Sequence, residues 1–279
     1  MEKIYNTSAS SNLPPSEGFR EAYLLHLADS NLILGHRNSE WCGHAPVLEQ
    51  DIAITNISLD LIGQARNFYQ YAASLLSPSE GGASQGAGEV TEDVLAYLRP
   101  EREFKNCLLA EQPNGDWGQT VLRQFLFSTW EYFLYEQLKY SKDEQLAAIA
   151  GKSLKEVTYH LRWSSEWVIR LGDGTAESHT RMLRAIDELW RYTEDLFSET
   201  GYELKAASEG IAVDSSLLKQ KWEKKVKDIF LEATLPVPAP SSIGGSLMGA
   251  GKDGIHTEHL GHILAELQYM QRAYPGCAW

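Results

Sequence analysis

The chain has 279 residues, 43% of them hydrophobic, which is enough for a sizeable core in one large domain or two small ones. Its net charge of −13 argues against nucleic acid or an anionic membrane surface as a partner. Its three cysteines, Cys42, Cys107 and Cys277, stand far apart with no Cys-x-x-Cys pair, so they suggest neither a disulfide framework nor a zinc site.

Helix periodicity dominates the chain, and no stretch of useful length alternates with a period of two. Residues 1–19 (MEKIYNTSASSNLPPSEG and the residue after) lack the apolar core of a signal peptide and are expected to be a flexible tail. A first helix is predicted over 20–36, with Leu24, Leu27, Asn31 and Leu34 on one face. The loop SEWCGHA comes next, and Pro46 is placed to open a long helix that ends near Leu76. That helix carries one stripe of Ile54, Ile57, Leu61, Ala65, Phe68, Ala72 and Leu75, and a second of Ile62, Tyr69 and Leu76. So broad an apolar surface predicts a wall covered on more than one side, as inside a bundle.

A Gly/Ser-rich stretch at 78–89 reads as a mobile loop. Thr91 is expected to cap a short helix through Leu98, and Pro100 to open another to about Ala110. Asp116, with Gln119 three residues on, predicts the cap of a third long helix running to about Tyr140. A fourth is predicted over 142–171, stopped by Gly172 and Gly174. Thr175 opens a fifth to about Glu199, and Asp214 caps a sixth over 215–232. The Pro/Gly/Ser stretch at 236–253 is expected to be mobile or draped over a neighbour, before a last helix over 256–274. No run approaches the roughly 18 to 20 apolar residues that span a bilayer. The expectation is all-α: one helical domain over 20–279 with four long core helices and additional shorter ones, located in the cytoplasm.

Four long helices can house a carboxylate-bridged di-iron centre, which takes a Glu from each of two helices and Glu-x-x-His from each of the other two. The pattern is missing here. Leu61 and Gln64 stand where the second helix needs Glu and His, and the fourth offers Val157 with only His160. The first helix has Asn31, and Glu131 is the one carboxylate of the third placed to face inward. His160 reads as a core histidine, while Asn31 and Gln64 are expected to hydrogen-bond each other or nearby side chains. Elsewhere His259, His262 and Glu266 share a helix face with His256 one turn earlier, a weaker candidate for a single metal. There is no Walker loop, dinucleotide fingerprint or nucleophile elbow, so no bound flavin or nicotinamide is expected.

The blocks EWCGHAP, NISLDLIGQARNF, EQPNGDW, YHLRWS with WVIRLGDGT, SEGIAVD and HTEHLGHILAELQYMQRAYPG occur in this order. Together they resemble the C subunits of phenylacetyl-CoA epoxidase (ring-1,2-phenylacetyl-CoA oxygenase) complexes, over residues 23–279. The resemblance implies a ferritin-like helical bundle and a division of labour in phenylacetate catabolism. A related catalytic subunit holds the di-iron site and the CoA thioester, and a reductase with flavin and iron–sulfur centres supplies electrons from NADPH. The C subunit, with no cofactor of its own, pairs with the catalytic subunit. On this reading Asn31, Leu61, Gln64, Glu131, Val157 and His160 are vestigial di-iron positions. The loop residues Glu40, Trp41 and His44, with His256, Glu258 and His259, are expected at contacts between subunits. The alternatives are a self-sufficient metal-dependent oxidoreductase built on His160, Glu131 or the terminal histidines, and an interaction module that forms homodimers when alone.

Overall fold

A computed structural model describes residues 18–77, 90–238, 250–275 and 277. The chain begins with a helical hairpin, α1 (Phe19–Ser39) and α2 (Leu48–Leu76). Gly35 lets the two approach: a Cβ there would lie 3.1 Å from Ile62 Cγ1 and 3.2 Å from Leu61 Cβ. The connection onward holds two short helices, α3 (Glu92–Tyr97) and α4 (Leu108–Glu111). Thr91 caps α3 by accepting from the Val94 amide. A second hairpin comes next, α5 (Trp117–Leu138) and α6 (Glu144–Gly172), with Asp116 accepting from the Gln119 amide and Asp143 from Leu146. Then come α7 (Ala176–Leu189), α8 (Gly201–Ser208), α9 (Ser215–Glu232), α10 (Glu258–Leu267) and α11 (Tyr269–Ala273). The described residues contain no strand, and none of their helices is long and apolar enough to cross a membrane.

The two hairpins pack face to face. Asn31 meets Tyr135 and Asn38 meets Gln124, so α1 runs antiparallel to α5. Gln64 meets Glu156 and Asp60 meets His160, so α2 runs antiparallel to α6. Two antiparallel pairs joined by one long crossover, from the end of α2 to the start of α5, define a ferritin-like bundle. Helices α7 and α9 pack against α5 and α6, and α4 and α8 against α1. Helices α1 and α5 are therefore the enclosed ones, and every residue of α1 from Ala22 to Gly35 is buried. Each large aliphatic or aromatic side chain sealed in this way contributes about 1.5–3 kcal/mol.

Several expected boundaries move. Phe19, counted with the tail, is the first helical residue, and Pro46 lies outside α2, which opens at Leu48 after Val47. Helix α2 is not covered all round: Ile62 of its second stripe is 38% exposed, and Leu48, Ile52 and Leu59 face outward with it. Pro100 opens no helix, only a single 3₁₀ turn at Glu101–Glu103. Three backbone amides that a helix would have used are drawn off by side chains: Lys105 N by Asp29, Cys107 N by Ser30, and Leu108 N by Asp195. Helix α7 stops at Leu189 because Trp190 turns to pack on Trp222 and Phe230, and two 3₁₀ turns come after it. Helix α8 is unexpected, although Thr200 and Glu203 form its capping box. The final helix is split at Gln268. The loop expected at 78–89 and the central part of 236–253 lie outside the described residues. The end of the second stretch packs against the rest of the chain, with Gly251 and Lys252 buried.

Candidate functional site

The bundle interior carries a polar layer where apolar packing would be cheaper. Asn31, Leu61, Gln64, Glu131, Val157 and His160 are all buried. The helix faces that bury them are set by their neighbours at steps of three and four, such as Leu27 and Leu34 around Asn31. Asn31 Nδ2 donates to the Leu27 carbonyl at 2.9 Å and to the Tyr135 hydroxyl at 3.2 Å. That hydroxyl donates to Glu131 Oε1 at 2.9 Å. Across the bundle, Gln64 Nε2 donates to Glu156 Oε2 at 2.9 Å, and His160 Nε2 lies 3.0 Å from Asp60 Oδ2. Asn31 and Gln64 therefore take separate partners instead of each other.

The layer is short of donors. Asn31 Oδ1, Gln64 Oε1, Glu131 Oε2 and His160 Nδ1 are buried without a hydrogen-bond partner. Burial pushes the Glu131 carboxyl up to about 8, although the bonds from Tyr135 and Asn31 pull the other way. At neutral pH Glu131 is thus an uncharged acid, with a proton available to donate among acceptor oxygens.

As a ligand set, these residues do not fit two irons. A carboxylate-bridged centre draws on four carboxylates and two imidazoles. The six positions hold one carboxyl group and one imidazole, which is turned to Asp60. Leu61 and Val157 have no donor atom, and neutral amides are weak ligands for iron. Among the described residues, no group of three or more His, Cys, Asp or Glu side chains is placed to hold a metal ion. That includes His259, His262 and Glu266, while His256 turns into the chain. Sequence reasoning missed Asp60, Tyr135 and Glu156 as members of the layer. The available signal was two i, i+4 pairs, Asp60 with Gln64 and Glu156 with His160, on facing helices.

The residues expected at contacts between subunits divide in two. Glu40 is exposed, pairing with Arg37 at 3.0 Å and accepting from Asn114 at 2.8 Å. Trp41 is half-buried, with its ring edge on Trp117 and Nε1 donating to Thr120. His44 and Glu258 are exposed and His259 is half-buried. His256 does not belong with them: its side chain is fully buried between Glu111 and the Phe104 carbonyl, so it reaches no outside surface. Sequence reasoning also missed an outward apolar ridge continuous with the 40–46 loop. Leu48, Ile52, Leu59 and Ile62 recur at helical spacing along α2, with Val47 just before it, and stand 70%, 51%, 62% and 38% exposed, Val47 48%.

Comparison with known proteins fits this architecture. The family described as "Phenylacetic acid catabolic protein" matches residues 15–279. A protein of Escherichia coli (strain K12), named as the C subunit of 1,2-phenylacetyl-CoA epoxidase, is 48% identical over 258 residues, covering 92% of this chain and 98% of that protein. With its ferritin-like bundle and a match along almost its whole length, the chain belongs to the phenylacetic acid catabolic protein family.

Proposed function

We propose that this protein is a noncatalytic, cytoplasmic subunit of an oxygenase complex that epoxidises the aromatic ring of phenylacetyl-CoA. In this reading it pairs with a di-iron subunit of the same fold and holds that subunit in its working shape. The observation that carries it is the donor set of the six ligand positions: one carboxyl and one imidazole, with Leu61 and Val157 offering no donor atom, where a working centre draws on six ligands. The name of the Escherichia coli relative supports the choice of complex. A bundle that keeps its helices but fills ligand positions with Leu61 and Val157 retains the shape needed for pairing, without the chemistry.

The pairing face we propose combines the 40–46 loop, including Glu40, Trp41 and His44, with the exposed ridge of α2. Glu258 and His259 contribute at a second contact. An apolar ridge of four or five large side chains is costly in water and is the kind of surface a permanent partner covers. The test is reconstitution. The di-iron subunit with and without this chain is assayed for phenylacetyl-CoA epoxidation, and His160→Ala is compared with the unaltered chain. The proposal expects turnover to require this chain and to survive His160→Ala in an assembled complex. Loss of turnover with assembly intact would mean that this interior does chemistry.

A further inference from the structure

A second polar cluster lies outside the bundle interior, and residues 250–258 supply half of it. Lys252 is fully buried, and its ammonium donates to the Leu196 carbonyl at 3.2 Å, the Ser198 carbonyl at 2.9 Å and Glu203 Oε1 at 2.9 Å. Four residues on, the His256 ring is held between two acceptors. Nδ1 lies 2.9 Å from Glu111 Oε2, and Nε2 lies 2.9 Å from the Phe104 carbonyl. The Glu111 side chain is itself 0% exposed. It accepts from the Thr257 amide and hydroxyl, both at 2.7 Å, and from Asn106 Nδ2 at 2.8 Å.

This geometry fixes the charge on the ring. A carbonyl oxygen only accepts, so Nε2 must carry a hydrogen. Both Glu111 oxygens are placed as acceptors, of the Thr257 amide and hydroxyl on one side and of Asn106 Nδ2 on the other, so Nδ1 is placed to donate as well. His256 is therefore an imidazolium. Burial opposes the charge, but the hydrogen bond and charge of Glu111 outweigh it and hold the ring above the ordinary histidine value.

The rest of the segment is fitted to the same surface. A Cβ on Gly251 would come within 2.5 Å of the Asn106 carbonyl. Gly254 takes φ +81°, which favours glycine. Leu260, Ile263 and Leu264 of α10 are buried, and Gln268 donates to the Arg99 carbonyl at 2.9 Å. Removing the segment would strip enclosed Glu111 of three of its four donors and take the Lys252 ammonium from Glu203, leaving Glu203 only its bonds from Thr200.

We propose that residues 250–273 form a pH-sensitive strap, latched by doubly protonated His256 between Glu111 and the Phe104 carbonyl, and released when that ring loses a proton. A neutral ring has a single N–H, so it must turn a lone pair toward either the carboxylate or the carbonyl. The other charged groups around the latch are held by their own partners. From α1, Asp29 binds Arg99 and the Lys105 amide, and Arg37 binds the Glu111 carbonyl. From the 3₁₀ turn at Glu194–Leu196, Asp195 binds the Leu108 amide, and burial raises its carboxyl to about 6. Glu203 from α8 binds Lys252.

The sign is set by the raised value. Below about pH 6.5 the ring is protonated whether strapped or free, and the latch is at full strength. Above that, the free ring loses its proton while the strapped ring keeps it. The ratio of strapped to released chain then falls by roughly tenfold per pH unit until the strapped ring itself titrates.

Hydrogen exchange by mass spectrometry on the full chain tests this, with rates corrected for the intrinsic pH dependence of exchange. Protection in peptides from α10 should be constant up to about pH 6.5 and then fall by roughly tenfold per unit, a break at that pH that peptides from α1 and α5 do not show. His256→Gln should show the released level of α10 exchange at every pH. Should that variant fail to fold, a nuclear magnetic resonance titration of the His256 ring in the unaltered chain replaces it, with a midpoint above the ordinary histidine value expected. Equal α10 protection at about pH 6 and pH 9, or a ring titrating at or below the ordinary value, would overturn the proposal.

Discussion

Replacing Glu131 with Gln isolates the energetic consequence of the donor-poor interior. The native carboxyl is fully buried, and burial raises it to about 8 from an ordinary 4.5. Below the ordinary value both folded and unfolded chains hold the proton, and Glu131 contributes no pH dependence. Above it the unfolded chain ionises while the folded one stays protonated. Stability therefore falls with rising pH, by about 1.4 kcal/mol per unit, until the folded carboxyl also titrates. Across the whole gap this amounts to roughly 5 kcal/mol, an order-of-magnitude figure for a buried group. Glutamine has nearly the same shape and no charge at any pH, and its Oε1 can still accept from the Tyr135 hydroxyl. Urea unfolding of both proteins from about pH 5.5 to pH 8 measures the difference. Glu131→Gln should gain on the native chain by roughly 3 kcal/mol over that range, with both chains converging toward acid. Stability curves that stay parallel would refute the reasoning, because they would mean Glu131 is ionised in the folded interior.

Further predictions address other parts of the fold. Lys252→Met removes the cation beside buried Glu203 and should destabilise the chain by about 3–5 kcal/mol in chemical denaturation. Gly35→Val places a branched side chain against Leu61 and Ile62 and should cost about 1–3 kcal/mol by wedging α1 from α2. The double variant Ile52→Glu with Leu59→Glu should leave thermal stability within a few degrees of the native chain, since both residues are exposed, yet abolish co-elution with the di-iron subunit in size-exclusion chromatography.

The four long helices were legible in the sequence because their signals are local. Asp116 caps α5 and Asp214 caps α9 as their spacing suggests, and apolar steps of three and four mark the buried faces. The interior positions Asn31, Leu61, Gln64, Glu131, Val157 and His160 were legible for the same reason: helix spacing alone sets which side of α1, α2, α5 and α6 they occupy. What could not be read is what depends on distant partners. The failure of Pro100 to start a helix rests on Asp29, Ser30 and Asp195 capturing amides from up to 87 residues away. His256 looked like a surface residue because nothing near it in sequence announces Glu111, 145 residues earlier. The open side of α2 was misjudged because an apolar ridge has the same periodicity whether the chain itself or a partner covers it.

Metal content tests the central claim most directly. The protein is purified alone from cells grown with ample iron, and iron per chain is determined together with its optical and Mössbauer spectra. Six ligand positions that hold only one carboxyl and one imidazole predict far less than one iron per chain and no di-iron signature. About two irons per chain with a carboxylate-bridged spectrum would contradict the account.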